Sequence, residues 1–209
     1  MLFRSPPRVR KLSAAGAVSA TFNAPSNTSG IAAMTVDSSG TVWYVSNAKD
    51  LVKITSGGTQ TNYSIGGSYG PTGVAVDSSG NVWVCFNGTG DVKKFNSSGT
   101  LLSTISTTGI GGESIVVTSS YVYVGDMSTT VSRIAVADGT VTNNWATLTY
   151  EPRYIAVDAD GNVYTSGFSG PNKGVSKITP AGVVTSLATI AFPPDRKSTR
   201  LNSSHEWIS

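Results

Sequence analysis

The chain has 209 residues, a formal net charge of +3, 39% hydrophobic and 13% charged residues, and a single cysteine. One cysteine excludes an internal disulfide framework, and no apolar run reaches the roughly 18 residues that a transmembrane helix requires. Few charges, together with many Gly, Ser, Thr and Asn residues, predict numerous short strands and turns rather than helices.

Both ends of the chain differ from the rest. Residues 1–5 (MLFRS) and 195–209 (DRKSTRLNSSHEWIS) resemble the translation of sequencing-library adapter DNA, and such segments are excluded from fold reasoning. We therefore expect a metagenomic fragment whose native part runs from Pro6 to Pro194. Without the two ends, eleven basic and ten acidic side chains remain, and the only histidine, His205, is lost. This near-neutral remainder gives no reason to expect nucleic acid as a partner.

A module of about thirty residues, Pro71–Gly99, organises the chain. Its apolar runs Val74–Val76, Val82–Phe86 and Val92–Phe95 are separated by Gly, Asn, Asp and Ser, which predicts successive strands joined by tight turns. The segment Asp77–Gly80 suits a type I turn, because Asp accepts a backbone hydrogen bond at the first position and Gly tolerates a positive φ at the fourth.

The module recurs along the chain. Glycines late in each unit fall at 16, 58, 99, 139 and 182, at intervals of 42, 41, 40 and 43 residues. A period near 40 residues with about four strands per unit is typical of β-propeller blades. We therefore predict an all-β fold, a partial (truncated) β-propeller of about four and a half four-stranded blades. The predicted division is 1–5 adapter-derived, 6–29 second half of a truncated blade, 30–70 blade, 71–112 blade, 113–151 degenerate blade, 152–194 blade and 195–209 adapter-derived tail.

Two sets of repeated residues are interpreted as structural. Aromatic residues at one position of the second strand are predicted to fill the core between blades; they are Trp43, Trp83, Tyr123 and Tyr164. Turn aspartates are predicted to hydrogen-bond to their own D-x-x-G turn rather than to bind calcium; they are Asp37, Asp77 and Asp158. Thr118 replaces this aspartate in the degenerate unit. Cys85 lies within an apolar run and is predicted to be a buried residue rather than a reactive thiol.

The stretch PTGVAVDSSGNVWV, followed by GDVKKFNSSG, closely resembles NHL-type repeats. It is also similar to the bacterial virginiamycin B lyase-like and gluconolactonase-like six-bladed propellers, and the resemblance extends from Val9 to about Ala191. It implies a six-bladed parent, so at least one and a half blades would lie outside this chain. The resemblance is specific for the fold and says little about function.

The resemblance also implies where a site would lie, at the mouth of the central channel. Related lactonases use Glu, Asn and Asp side chains around a divalent cation, and the lyase requires histidines with a metal, so no catalytic set carries over to this chain. Seven ligand-face candidates remain in loops before an inner strand or after a second strand: Glu113, Glu151, Arg153, Tyr69, Asn47, Asn87 and Asp126. The competing interpretation is ordinary solvated loop polarity.

These observations leave more than one function open. The first is a non-catalytic propeller scaffold that binds a protein, glycan or small-molecule ligand at the channel mouth. We expect such a protein to be extracytoplasmic, secreted or periplasmic in a bacterium, with its signal peptide outside this fragment, and monomeric as the intact parent. The alternative is a metal-dependent lactonase or lyase, with Ca²⁺ or Mg²⁺ as cofactor, whose remaining site residues lie in missing blades. A third is a spacer domain of a long surface protein. An open arc of blades is also expected to aggregate or unfold easily, because its end sheets are unpaired.

Overall fold

The computed structural model describes residues 7–25, 30–67, 69–109, 111–167 and 173–189. Within these ranges the chain forms eighteen β-strands and no helix, which confirms the all-β prediction. Consequently, none of the described segments is a helix that could cross a membrane. The predicted adapter-derived ends, 1–5 and 195–209, lie outside the described residues.

The strands form one two-stranded and four four-stranded antiparallel sheets. The half sheet contains β1 (Arg8–Leu12) and β2 (Val18–Asn23). Sheet A contains β3 (Ile31–Val36), β4 (Val42–Ser46), β5 (Asp50–Ile54) and β6 (Gln60–Ser64). Sheet B contains β7 (Pro71–Val76), β8 (Val82–Phe86), β9 (Asp91–Phe95) and β10 (Leu101–Ser106). Sheet C contains β11 (Gly112–Val117), β12 (Tyr121–Asp126), β13 (Thr130–Ala135) and β14 (Val141–Thr147). Sheet D contains β15 (Tyr154–Val157), β16 (Val163–Gly167), β17 (Gly174–Ile178) and β18 (Val184–Thr189).

Each four-stranded sheet is a simple meander, with its strands in chain order. The first strands of consecutive sheets contact one another, from β3 to β7, β7 to β11 and β11 to β15. These first strands are called the inner strands below, because all four contribute residues to one shared cavity. The fourth strands lie at the opposite edge and are largely exposed, as their polar, alternating sequences predict.

The core lies between sheets rather than within one of them. Along β4, Trp43 and Val45 pack against sheet B, whereas Tyr44 packs with Val9 of the half sheet. Since side chains alternate between the two faces of a strand, one central strand fills two interfaces. The predicted role of the second-strand aromatics as inter-sheet core is confirmed at Trp43 and Trp83, which are 1% and 0% exposed. Burial of apolar surface between sheets is what offsets the entropy of ordering so many short strands.

The same set of hydrogen bonds to an aspartate closes the first hairpin of sheets A, B and D. In sheet B, the carboxylate of Asp77 accepts hydrogen bonds from the backbone N–H groups of Ser79 (3.0 Å) and Asn81 (2.9 Å) and from Trp83 Nε1 (2.9 Å). Gly80 ends the turn with φ of 80°, in the region that favours glycine. The same aspartate thus shapes the turn and fixes the aromatic ring that packs against the next sheet.

The equivalent aspartates of sheets A and D make the same bonds. Asp37 accepts from the amides of Ser39 and Thr41 and from Trp43 Nε1. Asp158 accepts from the amides of Asp160 and Asn162 and from the Tyr164 hydroxyl. In sheet C a shorter turn uses the Thr118 hydroxyl, which accepts from the Tyr121 amide at 3.0 Å. A hydroxyl therefore substitutes for the carboxylate, but no bond to the Tyr123 ring accompanies it among the described residues.

Candidate site at the channel mouth

The inner strands converge on a cavity of about 410 Å³. Its wall includes Met34 from β3, Thr72 from β7, Glu113 from β11, and Arg153 and Tyr154 at the start of β15. Contributions from all four sheets place this cavity on the axis that the sheets share. A concave region with a few converging polar groups is the usual form of a ligand site.

Three of the predicted site residues come together, because Glu113 and Glu151 both pair with Arg153. Arg153 Nη1 lies 3.6 Å from Glu113 Oε1, and Arg153 Nη2 lies 3.4 Å from Glu151 Oε2. The cluster joins sheets C and D and consists of two carboxylates on one guanidinium. The three side chains are 17–31% exposed, so solvent can reach them and weakens the pairing. The cluster is therefore partly open to solvent at the cavity.

Backbone contacts hold the cluster at the edge of the sheet. The Arg153 N–H donates to the Ser166 carbonyl at 3.0 Å, which extends the β15–β16 ladder by one residue. Pro152, which precedes Arg153, packs closely against β12 at Gly125. A Cβ at position 125 would lie 2.5 Å from the Pro152 carbonyl oxygen, so glycine permits this approach. The Glu151–Arg153 segment thus lies against two strands, and from this position Arg153 reaches Glu113.

Four other predicted residues lie outside this cluster. Asn47 is exposed, and its N–H donates to the Gly30 carbonyl at 3.0 Å. Asn87 makes the equivalent bond to Gly70 at 3.1 Å and pairs with Gly111 at the start of the next sheet. Tyr69 is 51% exposed and its ring lies against Gly88. These backbone bonds place the loops after β4 and β8 at the same sheet edge as the starts of the inner strands.

Asp126 differs from the other candidates because it is only 2% exposed. Its carboxylate accepts from the amides of Ser128 (3.0 Å) and Thr130 (3.2 Å) and from the Ser128 hydroxyl (2.7 Å). The side chain therefore caps its own loop instead of facing a ligand. The sequence carried a signal for this role, since the spacing to Ser128 and Thr130 matches that of the turn aspartates.

Met34, Thr72 and Tyr154 are among the cavity residues that were missed from the sequence. Tyr154 is 67% exposed, and Met34 is 51% exposed. The Thr72 hydroxyl donates to the Gly112 carbonyl, next to Glu113, and so links β7 to β11. No local signal marks them, because which residues of an inner strand border the cavity depends on how the sheets pack side by side.

The oxygen ligands of the cluster do not make a cation site by themselves. Ca²⁺ takes six to eight oxygen ligands, whereas Glu113 and Glu151 supply two carboxylates that are already paired with Arg153. Within the described ranges, no three His, Cys, Asp or Glu side chains form a group that could hold a metal ion. A divalent cation therefore does not fit the residues described here without further ligands.

Comparison with solved structures identifies the architecture. Virginiamycin B lyase from Staphylococcus aureus superposes with a TM-score of 0.75 at 18% identity, over 86% of this chain and 62% of the lyase. A streptogramin B lyase structure gives 0.75 at 19% identity, over 86% and 61%. The chain is a β-propeller. It covers about three-fifths of the length of these lyases, and at such identity the likeness concerns the fold alone.

Other comparisons agree with a propeller of this type. The family model described as SMP-30/Gluconolactonase/LRE-like region matches residues 19–116, slightly under half of the chain. A protein of unknown function from Bacteroides caccae superposes with a TM-score of 0.67 at 15% identity, over 88% of this chain and 68% of that one. No curated protein matches the sequence. The predicted likeness to gluconolactonase-like and virginiamycin B lyase-like propellers is confirmed.

Proposed function

We propose that this propeller is a non-catalytic binding scaffold that holds a ligand at the mouth of its channel. The observation that supports the proposal is the Glu113–Arg153–Glu151 cluster beside a 410 Å³ cavity, together with the exposed ring of Tyr154. The guanidinium and carboxylates offer donors and acceptors, and the ring offers an apolar face. This combination suits a ligand with an apolar body and a few polar groups, such as a small molecule or a sugar.

A fragment screen by ¹⁹F NMR against the full chain would test this proposal. We expect fragments to bind and their binding to be lost in Arg153→Met, which removes both ion pairs. Arg10→Met is the matched control, because Arg10 is exposed on the half sheet and does not line this cavity. Absence of any bound fragment, or equal loss in both variants, would contradict a binding site at the channel mouth.

A metal-dependent lactonase or lyase is the second candidate. The match to the SMP-30/Gluconolactonase/LRE-like region favours it, as do two carboxylates at one cavity. One of the similar structures is a catalytically inactive variant of the S. aureus lyase with quinupristin. The chain's only histidine, His205, lies outside the described residues, so nothing described here corresponds to a histidine in such an enzyme.

Two assays distinguish this candidate from the scaffold. Calorimetric titration with Ca²⁺, Mg²⁺, Mn²⁺ or Zn²⁺ would reveal a cation site, and liquid chromatography coupled to mass spectrometry would detect conversion of gluconolactone or of quinupristin. For the scaffold we expect no turnover with any of these cations. Turnover that requires a cation and disappears in Glu113→Gln, but persists in Asp138→Asn at a remote exposed turn, would establish the enzyme instead.

A further inference from the structure

The interface between sheets C and D differs from the two interfaces that precede it. In sheets A and B, the third strand places a lysine across the ladder from the aromatic residue of the second strand. Lys53 Nζ donates to the Ser97 carbonyl of sheet B at 2.8 Å, and Lys94 Nζ donates to the Val136 carbonyl of sheet C at 3.4 Å. Each lysine thus spans the cleft between its own sheet and the next one.

Sheet C has an arginine in place of this lysine. Arg133 lies across the ladder from Tyr123, but its guanidinium carbon lies 4.5 Å from the ring centroid of Tyr121 and 5.4 Å from that of Trp145. Both rings belong to sheet C, and the buried Arg133 Nε has no hydrogen-bond partner among the described residues. The guanidinium therefore packs on aromatic rings of its own sheet instead of spanning the cleft.

The turn beside this cleft leaves a buried hydroxyl without a partner. In sheet D, the second-strand Tyr164 donates its hydroxyl hydrogen bond to the turn aspartate, Asp158, at 3.1 Å. Sheet C has Thr118 instead of the aspartate, and the hydroxyl of Tyr123 makes no hydrogen bond within the described ranges. Tyr123 is nevertheless only 3% exposed. Its hydroxyl can therefore still donate one hydrogen bond and accept others.

A cavity of about 440 Å³ lies at this cleft. Tyr121 and Tyr123 of sheet C and the turn residues Asp158 and Asp160 of sheet D contribute to its wall. Ligand sites in proteins have volumes of roughly 300–1,000 Å³, so its size suits a small ligand or one unit of a larger one. The unpartnered hydroxyl of Tyr123 thus borders a space that a ligand can enter.

This cavity is distinct from the one at the channel mouth. It lies at the β11–β12 and β15–β16 turns, where two inner strands end, whereas Glu113 and Arg153 lie where the same strands start. The two cavities have no lining residue in common. Binding at one can therefore be tested separately from binding at the other.

Sheet C brings a second aromatic ring to this cavity. Tyr121 holds the position that Asn81 has in sheet B and Asn162 has in sheet D, where the side-chain amide donates to the turn aspartate. The ring of Tyr121 is half-buried and lies at the cavity wall. A tyrosine ring offers an apolar face for packing and a polar tip for hydrogen bonding. The residues that distinguish sheet C from its neighbours thus converge on this cavity.

The charges near the wall favour a neutral ligand. The carboxylates of Asp158 and Asp160 oppose an anion, and the guanidinium of Arg133 opposes a cation on the ring of Tyr121. Asp158 already accepts bonds from its own turn and from Tyr164. Asp160 is exposed, so its carboxylate can accept bonds from a ligand. The wall therefore suits a neutral molecule with an apolar face and several hydroxyl groups.

We propose that the cleft between sheets C and D binds a neutral pyranose unit of a glycan. The C–H face of the sugar ring packs on Tyr121. One sugar hydroxyl bonds to the Tyr123 hydroxyl, and another donates to the carboxylate of Asp160. The site exists because Thr118 leaves Tyr123 without its usual acceptor and because Arg133 does not span the cleft.

Saturation-transfer NMR of the full chain with a panel of methyl glycosides tests the proposal. The panel contains the glycosides of glucose, galactose, mannose, N-acetylglucosamine and fucose, together with the glycoside of glucuronate as a charged probe. We expect saturable binding of at least one neutral glycoside at millimolar concentration. We expect the glucuronate glycoside to bind more weakly than the glucose glycoside, because the carboxylates at the wall repel it.

Conservative variants locate the binding. Tyr123→Phe removes only the hydroxyl and Asp160→Asn removes only the charge, and each should weaken binding roughly five- to tenfold. Tyr121→Leu keeps an apolar side chain but removes the ring, and should abolish binding. Tyr63→Phe and Asp138→Asn are the matched controls, because neither residue lines this cavity, and both should bind like the unmodified chain. Circular dichroism checks that every variant is folded.

Arg153→Met separates this site from the channel mouth. It should leave glycoside binding unchanged, since Arg153 does not line the cleft between sheets C and D. The proposal is overturned if none of the glycosides binds, or if Tyr123→Phe and Asp160→Asn bind as tightly as the unmodified chain. Loss of binding in Arg153→Met alone would also overturn it, because the sugar would then be at the channel mouth.

Discussion

Sheets B and D have nearly the same sequence pattern and very different surroundings. Val74–Val76 reads Val-Ala-Val and residues 155–157 read Ile-Ala-Val. Ala75 is 6% exposed between two sheets, whereas Ala156 is exposed because no described sheet covers that face. A strand whose sequence is apolar or small on both faces is thus largely buried in β7 and alternates between half-buried and exposed positions in β15. The same residues form the same strand in each case, but burial depends on the neighbours.

The central strands show the same difference. All five residues of β8 are buried, whereas β16 alternates between buried and half-buried positions. In β16 the buried residues face sheet C, and the half-buried ones, including Tyr164, face outward. An apolar pattern therefore shows which surface a blade is built to cover, and the contacts of the fold show which surface is covered.

The largest expected effect separates the two aromatic residues. Trp83→Ala should lower the free energy of unfolding by about 3–5 kcal/mol, because it empties a fully buried volume between two sheets. Tyr164→Ala should cost about 1–2 kcal/mol, because its ring has a neighbouring sheet on one side only. Urea unfolding followed by circular dichroism measures both values. Equal losses would mean that sheet D is as enclosed as sheet B.

Replacing the turn aspartate should also cost more stability in sheet B than in sheet D. Asp77→Ala leaves the buried Trp83 Nε1–H and two turn amides without their acceptor, which should cost about 1–3 kcal/mol. Asp158→Ala should cost less, because water can replace the carboxylate at that more exposed turn. Urea midpoints of the two variants, with Asp138→Ala at another exposed turn as control, measure the difference. A larger loss at Asp158 would argue against the comparison.

Low pH should weaken the hydrogen bonds to the Asp77 carboxylate and so lower the stability of the fold. Burial of Asp77 opposes ionisation, but hydrogen bonds from Trp83, Asn81 and Ser79 outweigh it and hold its pKa below the usual 3.8. A lowered pKa in the folded state means that the stabilisation is complete above the unfolded-state value and is lost as pH falls through the folded-state value. Stability should therefore decline below about pH 4, and Asp77→Asn should flatten this decline. A steep decline that persists in the variant would assign it to other carboxylates.

The smallest change in the free energy of unfolding is expected at the ion pair between Arg153, beside sheet D, and Glu113 of sheet C. Arg153→Met removes both ion pairs of the cluster, but the side chains are partly exposed, so the loss should stay below about 1 kcal/mol. High salt should reduce the difference further, because it screens such pairs. Thermal unfolding at low and high salt tests this expectation, and a loss as large as that of Trp83→Ala would show that the cluster is structural.

Much of the fold follows from local sequence, and the site does not. The run Val82–Phe86 is β8 with the predicted bounds, because apolar residues between turn formers have few alternatives to a strand. By contrast, the meeting of Glu113 with Arg153 depends on how two sheets lie side by side, and no local pattern encodes it. Asp126 is a second case in which the sequence alone did not give the role of a side chain. Its position after a second strand suggested a ligand-facing residue, but its near neighbours in sequence already satisfy its carboxylate.

In sheets A and B, a lysine side chain donates a hydrogen bond to the main chain of the next sheet. These contacts bear on how such repeats diverge. Lys53 and Lys94 bond to the main chain of the next repeat, and the residues that contribute those carbonyls are a serine and a valine. Since every amino acid has a carbonyl oxygen, mutation of the acceptor residue leaves the bond intact. A duplicated repeat can therefore accumulate substitutions in that turn and still fit beside its parent, so one ancestral unit can give rise to a series whose members no longer look alike.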